Sequence, residues 1–479
     1  MNSSRVPRPL WFDAAILGFL AFLLFLATAN FAARQINDAA SALTSAWSLG
    51  QHGTLDMSLS PAPKPWSVHV GDHLYSDRLP GVIAWAAPFY ALLGRPAAPT
   101  MFPTGVAVAT AAALIVALSY ILFRRLVGPR TALGGTIVLA LGTSTWSVSA
   151  DALFPHGPDQ VWLLAFMIAL SSRRWWLAGC AGAALIVTRP TAAVAVAVAA
   201  LWCSIRGRRA APALRIGIVS SLGLGFLLIY TRVLFSHWAL YAGSYDSIEK
   251  NVLGKGGTYS PTDPFELVTN VAGFVVSPTR GLLVLSPFLL MLIPGLRRAW
   301  QSAPAWVQAG ALAAVCYTLI QLWSNNFGGG SDFYGYRYAL EPLTLASPLL
   351  LLSWQKWTSL TALRRRMFAA LAVFSIFGYA AGAVTTENVD TSFNRAWQHY
   401  LLVDALEGAS SLQLSFIILV TVVVLLAAIV LEMRPPSAAS QNSFRPSVIG
   451  QREARAIRVP GHPSAIAAPP TACPTPPSP

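Results

Sequence analysis

The chain has 479 residues, is 55% hydrophobic and only 11% charged, and carries a formal net charge of +14. Soluble domains carry about 25% charged residues, so this composition, with a mean hydropathy of +0.55, excludes an ordinary soluble enzyme. Apolar runs approaching the roughly 20 residues of a bilayer crossing recur along most of the chain, without the short alternating segments of a β-barrel.

The first expected span is Ala14–Phe31, an uncleaved helix because no A-x-A site follows it. The chain then presents "INDAASALTSAWSLGQHGTLDM" at the start of a first outer loop, residues 34–81. Asn, Asp and Ser suit a helix start and His52-Gly53 a helix end, while Leu43, Trp47 and Leu49 give a weak apolar stripe. That pattern predicts a short helix lying along the surface, with Asp38 at its start suited to an N-cap. Next comes "DHLYSDRLPGVIAWAAPFYALLG", where Tyr75, Asp77 and Arg78 precede a Pro-Gly turn and an apolar surface helix, Val82–Leu93. Asp77–Arg78 reads either as an adjacent ion pair of little worth or as a pair that orients a substrate at the water–lipid boundary.

Spans Val106–Phe123 and Ala132–Trp146 follow, then "PHGPDQ" with His156, then the short segments Val161–Leu170, Trp175–Val187 and Ala192–Trp202. The last two turn at Thr188–Arg189–Pro190. Both arms are too short for a full crossing, so Arg189 lies below the outer surface, as a functional residue or a snorkelling one. Ile216–Tyr230 leads into a second long outer loop, 231–280, ending in "SPTRGLLVLSP" with Arg280 at the mouth of Leu282–Leu296. After Trp306–Leu322 comes a glycine-rich outer loop, 323–338, in which three glycines allow close backbone approach. Asn325, Asn326, Ser331, Asp332, Tyr334, Tyr336 and Arg337 stand around them, and aromatic faces beside amides and acids suit sugar recognition. Leu343–Leu352, Met367–Ala383, the loop Thr385–Ser410 (Glu387, Asp390, Arg395, His399) and Leu412–Leu431 complete an expected set of about 12 transmembrane helices (11–13). Residues 1–432 thus form one all-α polytopic membrane domain. Residues 433–479, rich in Pro, Ser and Ala, read as a disordered cytoplasmic tail.

Charge sets the orientation. With Val82–Leu93 outside, the cytoplasmic loops and tail hold 22 of the 33 basic residues and only Asp13, Glu432 and Glu453 of the 19 acidic ones. The positive-inside rule then puts both termini in the cytoplasm and the histidine- and acid-rich loops outside the cell membrane. The basic pI is explained by this arginine collar and requires no nucleic acid. Cys180, Cys203, Cys316 and Cys473 show neither a disulfide framework nor metal spacing. No metal ligand is named, no cofactor is assigned, and a divalent cation is left open.

The order "NDAAS", "YSDRLPG", "TRP", "SPTRGLLVLSP", "GGGSDFYGYRY" resembles the GT-C membrane glycosyltransferases, most closely glycosyltransferase family 39, the protein-mannosyltransferase and aminoarabinose-transferase group. The resemblance covers roughly residues 10 to 350. It implies a GT-C-like bundle with outer-face amphipathic helices in the first loop. It also implies an active site on the outer face and transfer of a sugar from a polyprenyl-phosphate donor to a glycan, lipid or protein acceptor. The family's base is an acid just after the first helix, a role that matches Asp38. The leaving lipid phosphate needs a cation, for which Arg189, Arg280 and Arg337 are the candidates. Asp77 and Arg78, with Tyr75, match the second loop motif that shapes the site; Tyr338 and His156 join the substrate-binding set. Rival readings are a polyprenyl-linked glycan ligase or polymerase, a membrane transporter built on broken helices and repeats, and a non-catalytic scaffold.

Overall fold

The computed structural model describes residues 9–31, 37–62, 64, 66–240, 264–330, 333–385 and 397–433. Within them the helices are α1 Leu10–Thr28, α2 Asn37–His52, α3 Pro80–Leu93, α4 Met101–Phe123, α5 Pro129–Leu141, α6 His156–Ser171, α7 Trp175–Thr188, α8 Ala192–Gly207 and α9 Ala211–Phe235. They continue as α10 Pro264–Val276, α11 Leu282–Leu285, α12 Leu296–Ser302, α13 Ala305–Ser324, α14 Leu340–Lys356, α15 Ala362–Thr385, α16 Leu401–Glu407 and α17 Ser411–Met433. The tail beyond Met433, residues 241–263 of loop 231–280, Ser331 and Asp332, and Glu387, Asp390 and Arg395 lie outside the described residues.

Five helices, α1, α4, α9, α13 and α15, are long and apolar enough to cross a membrane by length and composition. Their outward sides fit a lipid solvent. Phe19, Leu20 and Leu23 of α1 and Ile218, Leu222 and Ile229 of α9 are exposed, a pattern that would be an aggregation hazard in water. The expected count of about twelve crossings goes beyond these five. At about 1.5 Å per residue the 14-residue α7 spans only about 21 Å, short of a roughly 30 Å hydrocarbon core.

Two expected spans are broken. Ala132–Trp146 stops as a helix at Leu141, and a π-helical turn, Thr145–Ser149, follows. Thr143 donates its hydroxyl to the Leu139 carbonyl at 2.6 Å, the kind of local bond that competes with the helix. Leu282–Leu296 is not one helix: α11 ends at Leu285, Pro287–Gly295 forms a 3-10 segment, and α12 begins at Leu296. Pro287 and Pro294 lack the N–H that a continuous ladder needs. Both breaks serve the glycine-rich loop. Ser144 Oγ accepts from Tyr336 N at 2.9 Å, Ser147 donates to the Tyr334 carbonyl at 2.6 Å, and Ser286 Oγ meets Tyr336 Oη at 2.9 Å. Between those tyrosines Gly335 has φ +104°, and a Cβ there would lie 2.4 Å from Ser144 Oγ, so only glycine fits.

The first loop is more enclosed than the stripe of Leu43, Trp47 and Leu49 suggests. On α2 not only Leu43 and Trp47 but Ala39, Ala42, Ala46, Ser41, Thr44, Ser45 and Ser48 are buried. Small residues permit this: a Cβ on Gly50 would sit 2.5 Å from the Ala87 carbonyl oxygen, so α2 and α3 touch backbone to backbone. A hairpin that the sequence reading did not anticipate, β1 Ser67–Val70 against β2 His73–Ser76, closes the other side in the register Val68↔Tyr75. Its anchor is Asp56, whose carboxylate accepts from Ser58 N (2.9 Å), Leu74 N (3.0 Å) and His73 Nδ1 (2.8 Å).

Candidate active site

Helix ends bring the site together. Asp38 stands in the first turn of α2, Asp77 and Arg78 between β2 and α3, and His156 at the first residue of α6. Arg189 follows the last residue of α7, and Arg337 precedes α14 by three residues. One close approach fixes the arrangement. A Cβ on Gly81 would lie 2.4 Å from Thr188 Cα, so the Pro-Gly turn presses directly on the Thr-Arg-Pro turn. On the opposite ends of α6, α7, α8 and α14 stand Arg173, Arg174, Arg206, Arg208 and Lys356.

At the centre Asp38 bridges two guanidiniums. Arg78 Nη1 donates to Oδ1 at 3.0 Å and Arg337 Nη2 to Oδ2 at 3.0 Å. Arg78 is also gripped by both oxygens of Asp77 at 2.5 Å and lies over the Trp66 ring. Burial raises the Asp38 carboxyl, but the charges of Arg337 and Arg78, with the hydrogen bond from Arg337, outweigh it and hold the group below the usual carboxylate range. Asp77 is shifted the other way, pushed up by burial against the pull of Arg78, with the charge of Asp38 adding to the rise. Environment thus separates the two acids. Asp38 is the more acidic of the two, with 21% of its side chain exposed beside an Arg78 side chain exposed by 26%.

Arg337 is held more tightly. Its Nη1 donates to the Gly329 carbonyl at 2.7 Å and its Nε to His156 Nε2 at 3.3 Å, with the Phe154 ring 4.3 Å from its carbon. His156 is fully buried; its Nδ1 lies 2.6 Å from Glu341 Oε1. Glu341 also accepts from Arg189 Nη1 at 2.9 Å, and the Arg189 guanidinium faces the Tyr338 ring at 5.4 Å. Asp159, one turn along α6 and fully buried, interacts electrostatically with Glu341 and Arg189.

Of the residues singled out in the sequence, Asp38, Asp77, Arg78, His156, Arg189, Arg337 and Tyr338 therefore converge. Tyr75 does not: its ring meets His73 and Phe235, each at 6.0 Å, because alternation along β2 turns it away from the inward Leu74 and Ser76. Arg280 reaches the same loop from beneath. Its Nη1 donates to the carbonyls of Phe333 (2.6 Å) and Gly335 (3.0 Å), and its carbon lies 3.9 Å from the Phe333 ring centre. Glu341 and Asp159 were missed. Their signal was an acid at the mouth of an apolar helix, four residues after Arg337 and three after His156. Among the described residues no group of three or more His, Cys, Asp and Glu side chains is gathered to hold a metal. A separate cavity of about 450 Å³, lined in part by Asn30, Asp151, Gln413 and Phe416, includes none of these residues.

No protein-family model and no curated protein sequence matches the chain. Among solved structures it is similar to ArnT from Cupriavidus metallidurans in the apo state, at 12% identity and a TM-score of 0.48, over 86% of this chain and 76% of that one. It is similar to the same protein bound to undecaprenyl phosphate at 14% identity and a TM-score of 0.45, over 88% and 77%. It is also similar to the Archaeoglobus fulgidus oligosaccharyltransferase in the apo form at 12% identity and a TM-score of 0.49, over 80% of this chain and 56% of that one. ArnT and the oligosaccharyltransferase are GT-C glycosyltransferases, the group whose motifs the sequence resembles. At these identities and scores no residue role follows from the likeness.

Proposed function

We propose that the chain is a membrane glycosyltransferase that moves a sugar from a polyprenyl-phosphate-linked donor to a glycan, lipid or protein acceptor on the extracytoplasmic face. The observation that carries this reading is the Asp38 carboxylate held between two guanidiniums from separate loop motifs, Arg78 and Arg337, each at 3.0 Å. Acceptor activation needs an ionised acid, and departure of a lipid phosphate needs cations beside it; here the two stand in hydrogen-bond contact. Asp38 takes the proton of the acceptor hydroxyl as its oxygen bonds to the anomeric carbon. The bond from that carbon to the phosphate oxygen breaks, its electron pair leaves with the polyprenyl phosphate, and Arg78 and Arg337 stabilise the growing negative charge. Arg280 and Arg189 support the loops that carry these groups.

The outer-face assignment rests on the arginine-rich ends of α6, α7 and α8, opposite the ends that bear His156 and Arg189. The test is release of polyprenyl phosphate by the purified full-length protein from a panel of radiolabelled polyprenyl-phosphate sugars, with outer-envelope extract as acceptor. Release from at least one donor is the expected result. A panel in which no donor turns over, with the protein folded, refutes the reading.

A further inference from the structure

The mechanism above acts through Asp38, Arg78 and Arg337 and assigns no chemical step to the buried row behind them: His156, Glu341 and Arg189. Their geometry is one of competition for a single ring nitrogen. His156 Nδ1 lies 2.6 Å from Glu341 Oε1 and 3.1 Å from Arg189 Nη1, while Glu341 Oε1 itself accepts from Arg189 at 2.9 Å. On the other side of the ring, Nε2 faces the Nε–H of Arg337 at 3.3 Å. Guanidinium nitrogens only donate, so Nε2 must present a lone pair to Arg337. The ring then carries its proton on Nδ1, aimed at Glu341. A second-layer carboxylate fixing a histidine tautomer is a recognised physical device.

We propose that Glu341 is a positioning residue: by holding the proton on His156 Nδ1 it keeps the Nε2 lone pair on Arg337, and so keeps the second guanidinium on Asp38. This rests on the reading of Asp38 as the base, whose strength the device would set. If Glu341 is neutral, the N–H of Arg189 is free to donate to Nδ1. The ring proton then moves to Nε2, where it meets the Nε–H of Arg337 head on, and the arginine is driven off. Asp38 would retain Arg78 alone. Among the described residues the charged or titratable groups that face Asp38 are Arg337, Arg78 and His156, with Asp77 behind Arg78. Loss of one guanidinium therefore leaves nothing nearby to replace it, and the carboxyl becomes a stronger base.

The test reads Asp38 directly and needs no substrate. The carboxyl band of Asp38 is followed by difference infrared spectroscopy through a pH titration of full-length protein, and assigned by its loss in Asp38→Asn. In Glu341→Gln, which keeps the volume, the titration midpoint should rise by about one pH unit or more, the usual scale for removing a close opposite charge. His156→Phe, which deletes the acceptor, should raise it likewise. His156→Gln, whose terminal amide can offer an oxygen near the position of Nε2, should return it toward the wild-type midpoint. An unmoved midpoint in Glu341→Gln overturns the proposal. So does an equal rise in His156→Phe and His156→Gln, which would mean that packing rather than the lone pair holds Arg337. Neither failure touches the proposed function, which falls instead if Asp38→Asn retains transfer.

Discussion

Replacing Asp38 by asparagine should tighten the binding of a polyprenyl phosphate. The two guanidiniums that the phosphate needs are both engaged by the carboxylate, at 3.0 Å each. A hydrogen bond to a charged group is worth about 1.5–3 kcal/mol, and the partial exposure of this site argues for the lower end. A phosphate that takes the Arg337 or Arg78 fork must displace one of these bonds, and its own charge then stands beside that of Asp38. Asp38→Asn keeps the shape and one acceptor oxygen but removes the rival charge, so about 1.4 kcal/mol of competition disappears, or roughly tenfold in Kd. The assay is titration of undecaprenyl phosphate into wild-type and variant protein in nanodiscs. Tighter binding by the variant is expected, and low salt should widen the gap. Weaker binding by the variant would refute the idea that carboxylate and phosphate compete for the same cations.

The remaining predictions concern the supports. Arg337→Ala should weaken undecaprenyl phosphate binding by about 2 kcal/mol through loss of one charge-assisted contact. Arg189→Ala should instead lower stability by about 3–5 kcal/mol, because it leaves the buried Glu341 carboxylate with the bond to neutral His156 but without its cationic partner, and thermal unfolding in detergent distinguishes the two. Asp56→Asn should leave turnover near normal while lowering stability by about 1–3 kcal/mol through the hairpin bonds it breaks. Its carboxyl is held well below the ordinary value of 3.8, with burial opposing and the bonds from Leu74, His73 and Ser58 prevailing. Its stabilising contribution is therefore complete above about pH 4 and is lost as the pH falls from there toward the depressed value. Hydrogen exchange of β1 and β2 below pH 4 reads this. A cysteine at position 69 should react with an impermeant reagent added to intact cells, and one at position 207 should not; labelling at 207 would invert the orientation.

The chemistry of the site was more legible than its framework. Asp38 and Arg337 lie 299 residues apart in sequence, yet each could be picked out because a charged residue next to an apolar run is costly and so carries information. Glu341 and Asp159 obey the same rule but sit just inside helices whose starts were read too late, at Leu343 and Val161. The true starts are Leu340 and His156. Arg280 shows what sequence does not convey: an arginine beside a helix mouth can face a ligand or a ring of carbonyls, and only the path of the glycine-rich loop decides. The hairpin was readable in part, since "SVHVGDHLYS" has strand residues around a two-residue Gly-Asp turn. The breaks at Gly142 and Ser286 were hidden within hydropathy, because they serve hydroxyl contacts to Tyr334 and Tyr336 that come from distant parts of the chain.

The central claim is that Asp38 accepts the acceptor's proton during sugar transfer. The measurement that bears on it most directly is kcat of purified full-length wild type and Asp38→Asn, on whichever radiolabelled polyprenyl-phosphate sugar the wild type uses, at saturating donor. General-base catalysis contributes about 10²- to 10⁴-fold, so the account predicts a fall of that size in the variant, with fold and donor binding retained. Near-normal turnover by Asp38→Asn would contradict it.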